Sequence, residues 1–297
     1  MLLVTGITGH SGSHFLKELA NNAYSGPIRC VVRETSNTAE IDNAVLDITK
    51  AVGDLEDQEF LDRAMVGVDT VVHIASIYHS RAVVRAAVRN DVRRILLVHT
   101  TGIYSKYKSA SDEYSNIERD IEQFIADEGS TIGVVYLRPT MIYGYLNDRN
   151  MSVFIRMVDR FRLFPVINHG KSLLQPVHGG DLGRAYYQVL VRSEILRGDY
   201  VLSGERPISM RELFELISDA LHKRTTFISV PLELGVLLAR VLRLLTVGRV
   251  DYVERVQRMG EDRSFSHEDA TRDFMYSPMC LVDGIRAEVA EYRRRFE

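Results

Sequence analysis

Residues 4–19, VTGITGHSGSHFLKEL, run from an apolar stretch through Gly6, Gly9 and Gly12 into a helical pattern. Small residues at a strand-to-helix turn let an anion approach the backbone. The N–H groups at the start of the helix carry partial positive charge. Together they suit a pyrophosphate, with Thr8, His10 and Ser11 of the turn placed to touch it. The spacing is G-x-x-G-x-x-G, not the commoner G-x-G-x-x-G. A tight turn that binds nothing is the competing reading, and the rest of the chain decides between them.

The elements around this turn alternate. Short β-branched runs stand at 28–33, 69–75, 95–100 and 132–137, and residues 1–5 already read as a strand. Helical patterns lie between them at 13–22, 57–66, 81–93 and 115–128. Continuous apolar strands separated by helices predict a parallel sheet covered on both faces, an α/β, doubly wound Rossmann-type fold. Ligands in such folds bind beyond the carboxyl ends of the strands. That rule selects Gly6–Gly12, Arg33, Ala75–Tyr78, Thr100–Tyr104 and Pro139–Tyr143.

After residue 144 the pattern changes. Helices are expected at 151–162, 181–191, 209–222 and 232–246, and a strand at 199–203. Residues 1–144 and 177–204 are therefore expected to form the nucleotide-binding domain. Residues 145–176 and 205–297 should form a smaller, mostly helical lobe.

The 297 residues carry a net charge of −3, which gives no polyanion signal and argues against nucleic acid as a partner. Two cysteines, Cys30 and Cys280, make neither a disulfide framework nor a metal site and are expected to be buried. The nine histidines show no ligand spacing, so no metal is expected. The stretch 230–248 is apolar but holds Glu233, Arg240 and Arg243, too short and too charged to span a bilayer. A cytoplasmic protein is expected. Arg81, Arg85, Arg89 and Arg93 make a basic stripe at steps of four. It faces either an acidic helix, its own neighbour or a partner's, or solvent.

Six segments, in order, resemble the short-chain dehydrogenase/reductase superfamily, in its extended and atypical NAD(P)-dependent epimerase/dehydratase group. They are TGITGHSG (5–12), GDLED (53–57), VDTVVHIAS (68–76), LRPTMIYG (137–144), QPVHGGDLGRA (175–185) and FSHEDATRDFMYSP (265–278). The resemblance implies NAD(P) held by the glycine turn, by Asp54 and Leu55 after the third strand, and by Ala75 and Pro139. Val32 holds the position of the NAD-selecting carboxylate, and Arg33 follows it. A guanidinium there suits a 2′-phosphate, so NADP is favoured over NAD.

The family's catalytic group is a Tyr-x-x-x-Lys pair with an earlier Ser or Thr. Thr100 and Tyr114 fall at those positions, but the lysine position holds Glu118. A carboxylate beside a tyrosinate opposes it, so Tyr114 either draws positive charge from Arg119, Lys106 or Lys108 or is a relic. The literal Tyr104-x-x-x-Lys108 sits just past a strand and reads as a coincidence. Tyr78, Tyr143, Gln175 and His178 are the substrate-side candidates. The resemblance implies an oxidoreductase, epimerase or dehydratase acting on a nucleotide-sugar or related polar metabolite, as monomer or homodimer. The alternative is a catalytically silent NAD(P)-binding sensor or assembly subunit.

Overall fold

The computed structural model describes residues 1–107, 109–144, 146, 148 and 150–296. Strands β1 (Leu2–Thr5), β2 (Ile28–Val32), β3 (Ile48–Val52), β4 (Thr70–His73), β5 (Arg94–Val98) and β6 (Gly133–Pro139) join a seventh strand, Gly198–Leu202. All pair in parallel, in the order seventh strand-β6-β5-β4-β1-β2-β3. The order reverses between β1 and β4, where two successive crossovers leave in opposite directions and open a crevice. Thr5 Oγ1 and the buried His73 Nδ1, 2.7 Å apart, tie the two strands together at that point.

One face is covered by α1 (His10–Asn21), the short α2 (Ala39–Asp42), α7 (Gly179–Val191) and α11 (Glu268–Phe274). The other is covered by α3 (Gln58–Met65), α4 (Ser80–Arg89) and α5 (Ser111–Asp127). Both faces of the inner strands are therefore dry, which is why their sequences run apolar without alternation. Burial of Leu3, Val71, Ile95 and Leu97 against Ile117 and Ile121 builds one core. Val4, Val72, Leu96 and Leu137 build the other against Phe15 and Tyr186.

A third core joins Ile155, Phe214 and Ile285 from α6 (Met151–Arg160), α8 (Met210–Ala220) and α12 (Leu281–Phe296). Two further helices, α9 (Leu232–Leu245) and α10 (Val253–Met259), pack on each other beside it. This region also contains a parallel pair, Leu163–Ile167 with Thr226–Val230, that the sequence pattern does not announce. Ala270, Phe274 and Tyr276, counted above with the second lobe, pack instead into the core of the sheet beside α1 and α7. Cys30 is buried as expected, whereas Cys280 is exposed at the start of α12. The basic stripe of α4 is divided among neighbours within the chain. Arg81 meets Asp120 of α5 at 2.6 Å, and Arg89 meets Asp62 of α3 at 2.8 Å.

Candidate dinucleotide and substrate sites

The glycine turn is shaped by contacts that exclude side chains. Gly6 has φ +74°, and a Cβ there would lie 2.5 Å from the Ala75 backbone nitrogen. The turn therefore presses against the end of β4 and could not be made by an L residue without strain. A Cβ on Gly12 would meet Gly6 O at 2.2 Å, so α1 starts directly on top of the turn. Gly9 differs: its Cβ would meet only Gly6 O, at 3.1 Å. It is the N-cap of α1 and supplies no side-chain cap. The first-turn amides of a helix have no intrahelical acceptors, and here no side chain covers them from the cap position. A cleft of about 590 Å³ borders Thr8, Gly9 and His10. This cradle fits a pyrophosphate, and Ser11 and Gly12 are buried in the first turn of α1 behind it.

Arg33 lies exposed one residue beyond β2, in a turn where its N–H donates to Ser36 Oγ (3.1 Å). Asp54 Oδ1 accepts from Glu56 N–H (2.9 Å) after β3, and Leu55 packs against the α3–α5 core. Pro139 ends β6, and its carbonyl accepts from Thr101 Oγ1 (3.2 Å). Ala75 abuts Gly6.

Thr100 opens a second cleft, of about 300 Å³, beyond the ends of β5 and β6. Its Oγ1 accepts from Gly102 N–H (3.0 Å), which fixes the turn after β5. The opposite wall is the segment 258–265. Glu261 joins the walls, accepting from Ser105 Oγ and Lys106 N–H at 2.7 Å each. Asp262 accepts from Leu173 N–H (2.8 Å). Beside these two carboxylates the cleft wall carries the guanidinium groups of Arg258 and Arg263. The Nε of each is buried with no hydrogen-bond partner. Burial and the nearby Arg258 charge lower the Arg263 pKa to about 10. An anion placed between them would relieve both effects. Sequence reasoning missed these arginines, because nothing in RMGEDRSF (258–265) says which way either guanidinium points.

The other candidates divide. Gln175 lines this cleft, yet its amide is held on both sides: Nε2 donates to Gly204 O (2.8 Å) and Oε1 accepts from Phe265 N–H (3.0 Å). Tyr104 also lines it, its ring 5.6 Å from Phe265, while Lys108 lies outside the described residues. Tyr143 is only 1 % exposed and belongs to the second-lobe core, and a Cβ on Gly284 would touch its hydroxyl. His178 caps α7, accepting from Gly180 N–H through Nδ1 (3.0 Å). Its ring lies 5.3 Å from Tyr143 and 5.8 Å from His14. The structure thus gathers His10, His14 and His178 where α1, α7 and Gly144 meet, and it places Tyr143 and His178 outside the lining of the Thr100 cleft. Burial, helped by the neighbouring histidine charges, lowers His14 to about 4.

Tyr114 lies in the first turn of α5, 9 % exposed, within 5.8 Å of the Tyr78 ring. Desolvation and the Tyr114 contact push the Tyr78 phenol up to about 12. Glu118, one turn on, is not a bare anion beside the tyrosine. Arg138 of β6 donates to it twice, Nη1 to Oε1 (2.6 Å) and Nη2 to Oε2 (2.9 Å). Arg138 also holds Asp199 through Nε and Nη2 (2.6 and 2.8 Å). His99 Nδ1 lies 2.7 Å from Glu118 Oε1, and its Nε2 lies 3.0 Å from Ser80 Oγ. Burial pushes the Glu118 carboxyl up, but the His99 and Arg138 hydrogen bonds outweigh it and bring the pKa to about 2. Glu118 is thus an ionised carboxylate locked into an ion pair with Arg138, which offsets part of the repulsion expected between it and Tyr114. Among the cations proposed for Tyr114, Arg119 instead donates to Asn116 Oδ1.

A family model described as NAD(P)H-binding matches residues 6–150. The structure is similar to a dTDP-glucose 4,6-dehydratase from Streptomyces venezuelae with NAD and TYD bound. The TM-score is 0.73 at 21 % identity, over 99 % of this chain and 97 % of that one. It is similar also to gox2253, with a TM-score of 0.79 at 19 % identity, over 100 % and 98 %. In sequence it is 22 % identical over 215 residues to an N-acetyl-alpha-D-glucosaminyl-diphospho-ditrans,octacis-undecaprenol 4-epimerase of Escherichia coli O157:H7. That match covers 63 % of this chain and 65 % of the relative. The glycine turn and the switch-point crevice both fall within the segment that the NAD(P)H-binding model matches, and the likeness in fold spans the whole chain.

Proposed function

We propose that this protein is a NAD(P)-dependent epimerase, dehydratase or reductase acting on a sugar that carries a diphosphate, such as a nucleotide-sugar. The observation that carries this reading is the Thr100 cleft, with two unpartnered buried guanidinium nitrogens, at the strand ends of a dinucleotide-binding sheet. Arg258 and Arg263 supply charge-assisted donors for phosphate oxygens, the contact for which guanidinium groups are best suited. The names of the similar dehydratase and epimerase describe substrates of this chemical class.

The Gly6–Gly12 turn, with Thr8, His10 and Ser11, holds the pyrophosphate. Asp54, Leu55, Ala75 and Pro139 bound the rest of the dinucleotide, and Arg33 selects a 2′-phosphate and hence NADP over NAD. When bound, the nicotinamide supplies hydride exchange. Thr100 orients the substrate hydroxyl, and Tyr114, with Tyr78 beside it, exchanges its proton. Tyr78 and Gln175 lie on the substrate side.

The test combines calorimetry with NADPH and NADH and turnover assays on a panel of UDP- and dTDP-sugars. The proposal expects micromolar binding of one dinucleotide, turnover of at least one sugar, and loss of turnover in Tyr114→Phe with dinucleotide binding kept. Turnover that survives Tyr114→Phe but not Tyr104→Phe moves the proton transfer to Tyr104. Dinucleotide binding with no turnover on any sugar favours the silent sensor, a reading supported by Glu118, which stands at the lysine position as a carboxylate paired with Arg138.

A further inference from the structure

Helix α9 is seated by its small residues and leaves its large ones outside. Gly235 and Ala239 are its buried positions. A Cβ on Gly235 would meet Ile167 Cδ1 at 2.7 Å and Val256 Cγ1 at 3.1 Å, so the helix lies close against α10 on that edge. Of the other apolar side chains, Leu232 and Val236 are half-buried, while Leu234, Leu237, Leu238, Val241, Leu242, Leu244 and Leu245 are exposed, Leu238 at 57 % and Leu245 at 78 %. At about 100° per residue these seven fall within about 160° of one face. A single exposed leucine needs no explanation, but a contiguous stripe of this size marks an interaction surface.

The charges around the stripe say what covers it. Residues 232–249 contain Arg240, Arg243 and Arg249 against one acid, Glu233. Arg240 lies beside the apolar arc. Arg243, at the last turn, keeps an ion pair with Asp251 (3.3 Å), and Arg249 follows the helix end. If a second copy covered the face, these arginines would be brought toward one another. A layer of lipid phosphates would neutralise them while accepting the leucines below. No helix among the described residues is long and apolar enough to cross a membrane, so such a helix would lie in the interface.

We propose that α9 is a docking surface for an anionic bilayer, its leucines entering the headgroup layer and Arg240 and Arg249 meeting lipid phosphates. The inference does not depend on the enzymatic reading. It does have a geometric relation to the cleft: α10, which packs on α9, carries Arg258 into the cleft wall.

The experiment is co-sedimentation of the full chain with vesicles of phosphatidylcholine alone or mixed with phosphatidylglycerol, at low and high salt. Sedimentation velocity on the lipid-free protein runs alongside. The expected result is binding to the anionic vesicles, weakened by salt. Leu238→Glu/Leu245→Glu should reduce the bound fraction at least about tenfold, and Arg240→Gln/Arg249→Gln should remove the preference for anionic lipid. Thermal melts confirm that both variants fold, since all four side chains are exposed. A wild-type chain that ignores both vesicle types overturns the proposal. A dimer that the leucine variant dissociates, in a chain that does not bind vesicles, assigns the face to a second copy and overturns it equally.

Discussion

Arg138 and Glu118 meet fork to fork, Nη1 to Oε1 at 2.6 Å and Nη2 to Oε2 at 2.9 Å, with the arginine side chain almost fully buried. Restoring a lysine at Glu118, which the family pattern invites, would therefore face a buried guanidinium with a second cation. Removing one partner of a buried pair costs about 3–5 kcal/mol. Glu118→Lys is expected to lower stability by that order, and not to tighten dinucleotide binding. Glu118→Gln should cost less. Denaturant unfolding of the three proteins decides this, and an unaltered midpoint for Glu118→Lys would show that the pair is dispensable.

The same carboxylate predicts an acid limb. Its folded pKa, about 2, lies below the unfolded value of 4.5. The native state thus binds the proton less readily, and the stabilisation is complete above the unfolded pKa. Stability should fall as pH drops from about 5 toward 2, and Glu118→Gln should flatten that limb in urea midpoints measured across it.

The histidine cluster predicts a separate, milder limb. His14 titrates near 4, against 6.5 when unfolded. Its neutral form is favoured in the folded state, so stability present above 6.5 is lost as pH falls through 4. His10 and His178 shift in the same direction, chiefly by burial. In His14→Gln, the decline between neutrality and pH of about 4 should be shallower in thermal melts across that range.

Three glycines of one turn should respond differently. Gly6→Ala and Gly12→Ala place a Cβ 2.5 Å from Ala75 N and 2.2 Å from Gly6 O, so both should unfold or strongly destabilise the chain. In Gly9→Val the β-carbon contact is 3.1 Å, and the fold should persist while dinucleotide binding is lost. Calorimetry on a Gly9→Val protein with a native circular dichroism spectrum gives the answer, and unaltered affinity refutes the phosphate assignment.

Arg33→Ala isolates the choice of cofactor. Losing a charge-assisted bidentate contact costs about 1.5–3 kcal/mol. NADPH should bind at least about tenfold more weakly and NADH almost unchanged. Equal weakening of both would remove Arg33 from the 2′-phosphate site.

What could be read from the sequence was whatever local patterning decides. β4, β5 and β6 are dry on both faces and read as apolar runs. β3, at the sheet edge, reads ITKAV, with Thr49 and Lys50 exposed, and its pattern is too weak to see, although GDLED marked its end. The pair Leu163–Ile167 and Thr226–Val230 was hidden because one strand contains Pro165 and their pairing spans 63 positions. The Glu118–Arg138 pair needs β6 and α5 to converge, and a charge that will be buried looks in sequence like any other charge. His10 and His14 stand four apart on α1, but only the packing of α7 brings His178 to them.

The seventh strand has a consequence for biosynthesis. β6, seven buried residues GVVYLRP, is complete at Pro139, yet its outer neighbour ends only at Leu202. At about 5–20 residues per second a ribosome takes about 3–13 s to cross that interval. For that time the nascent chain presents an apolar strand with one open hydrogen-bonding edge, the geometry that templates intermolecular pairing. Phe274 and Tyr276, which close the same core, emerge later still. The intervening excursion through α6 and α7 thus makes the half-made protein a natural client for a holding chaperone.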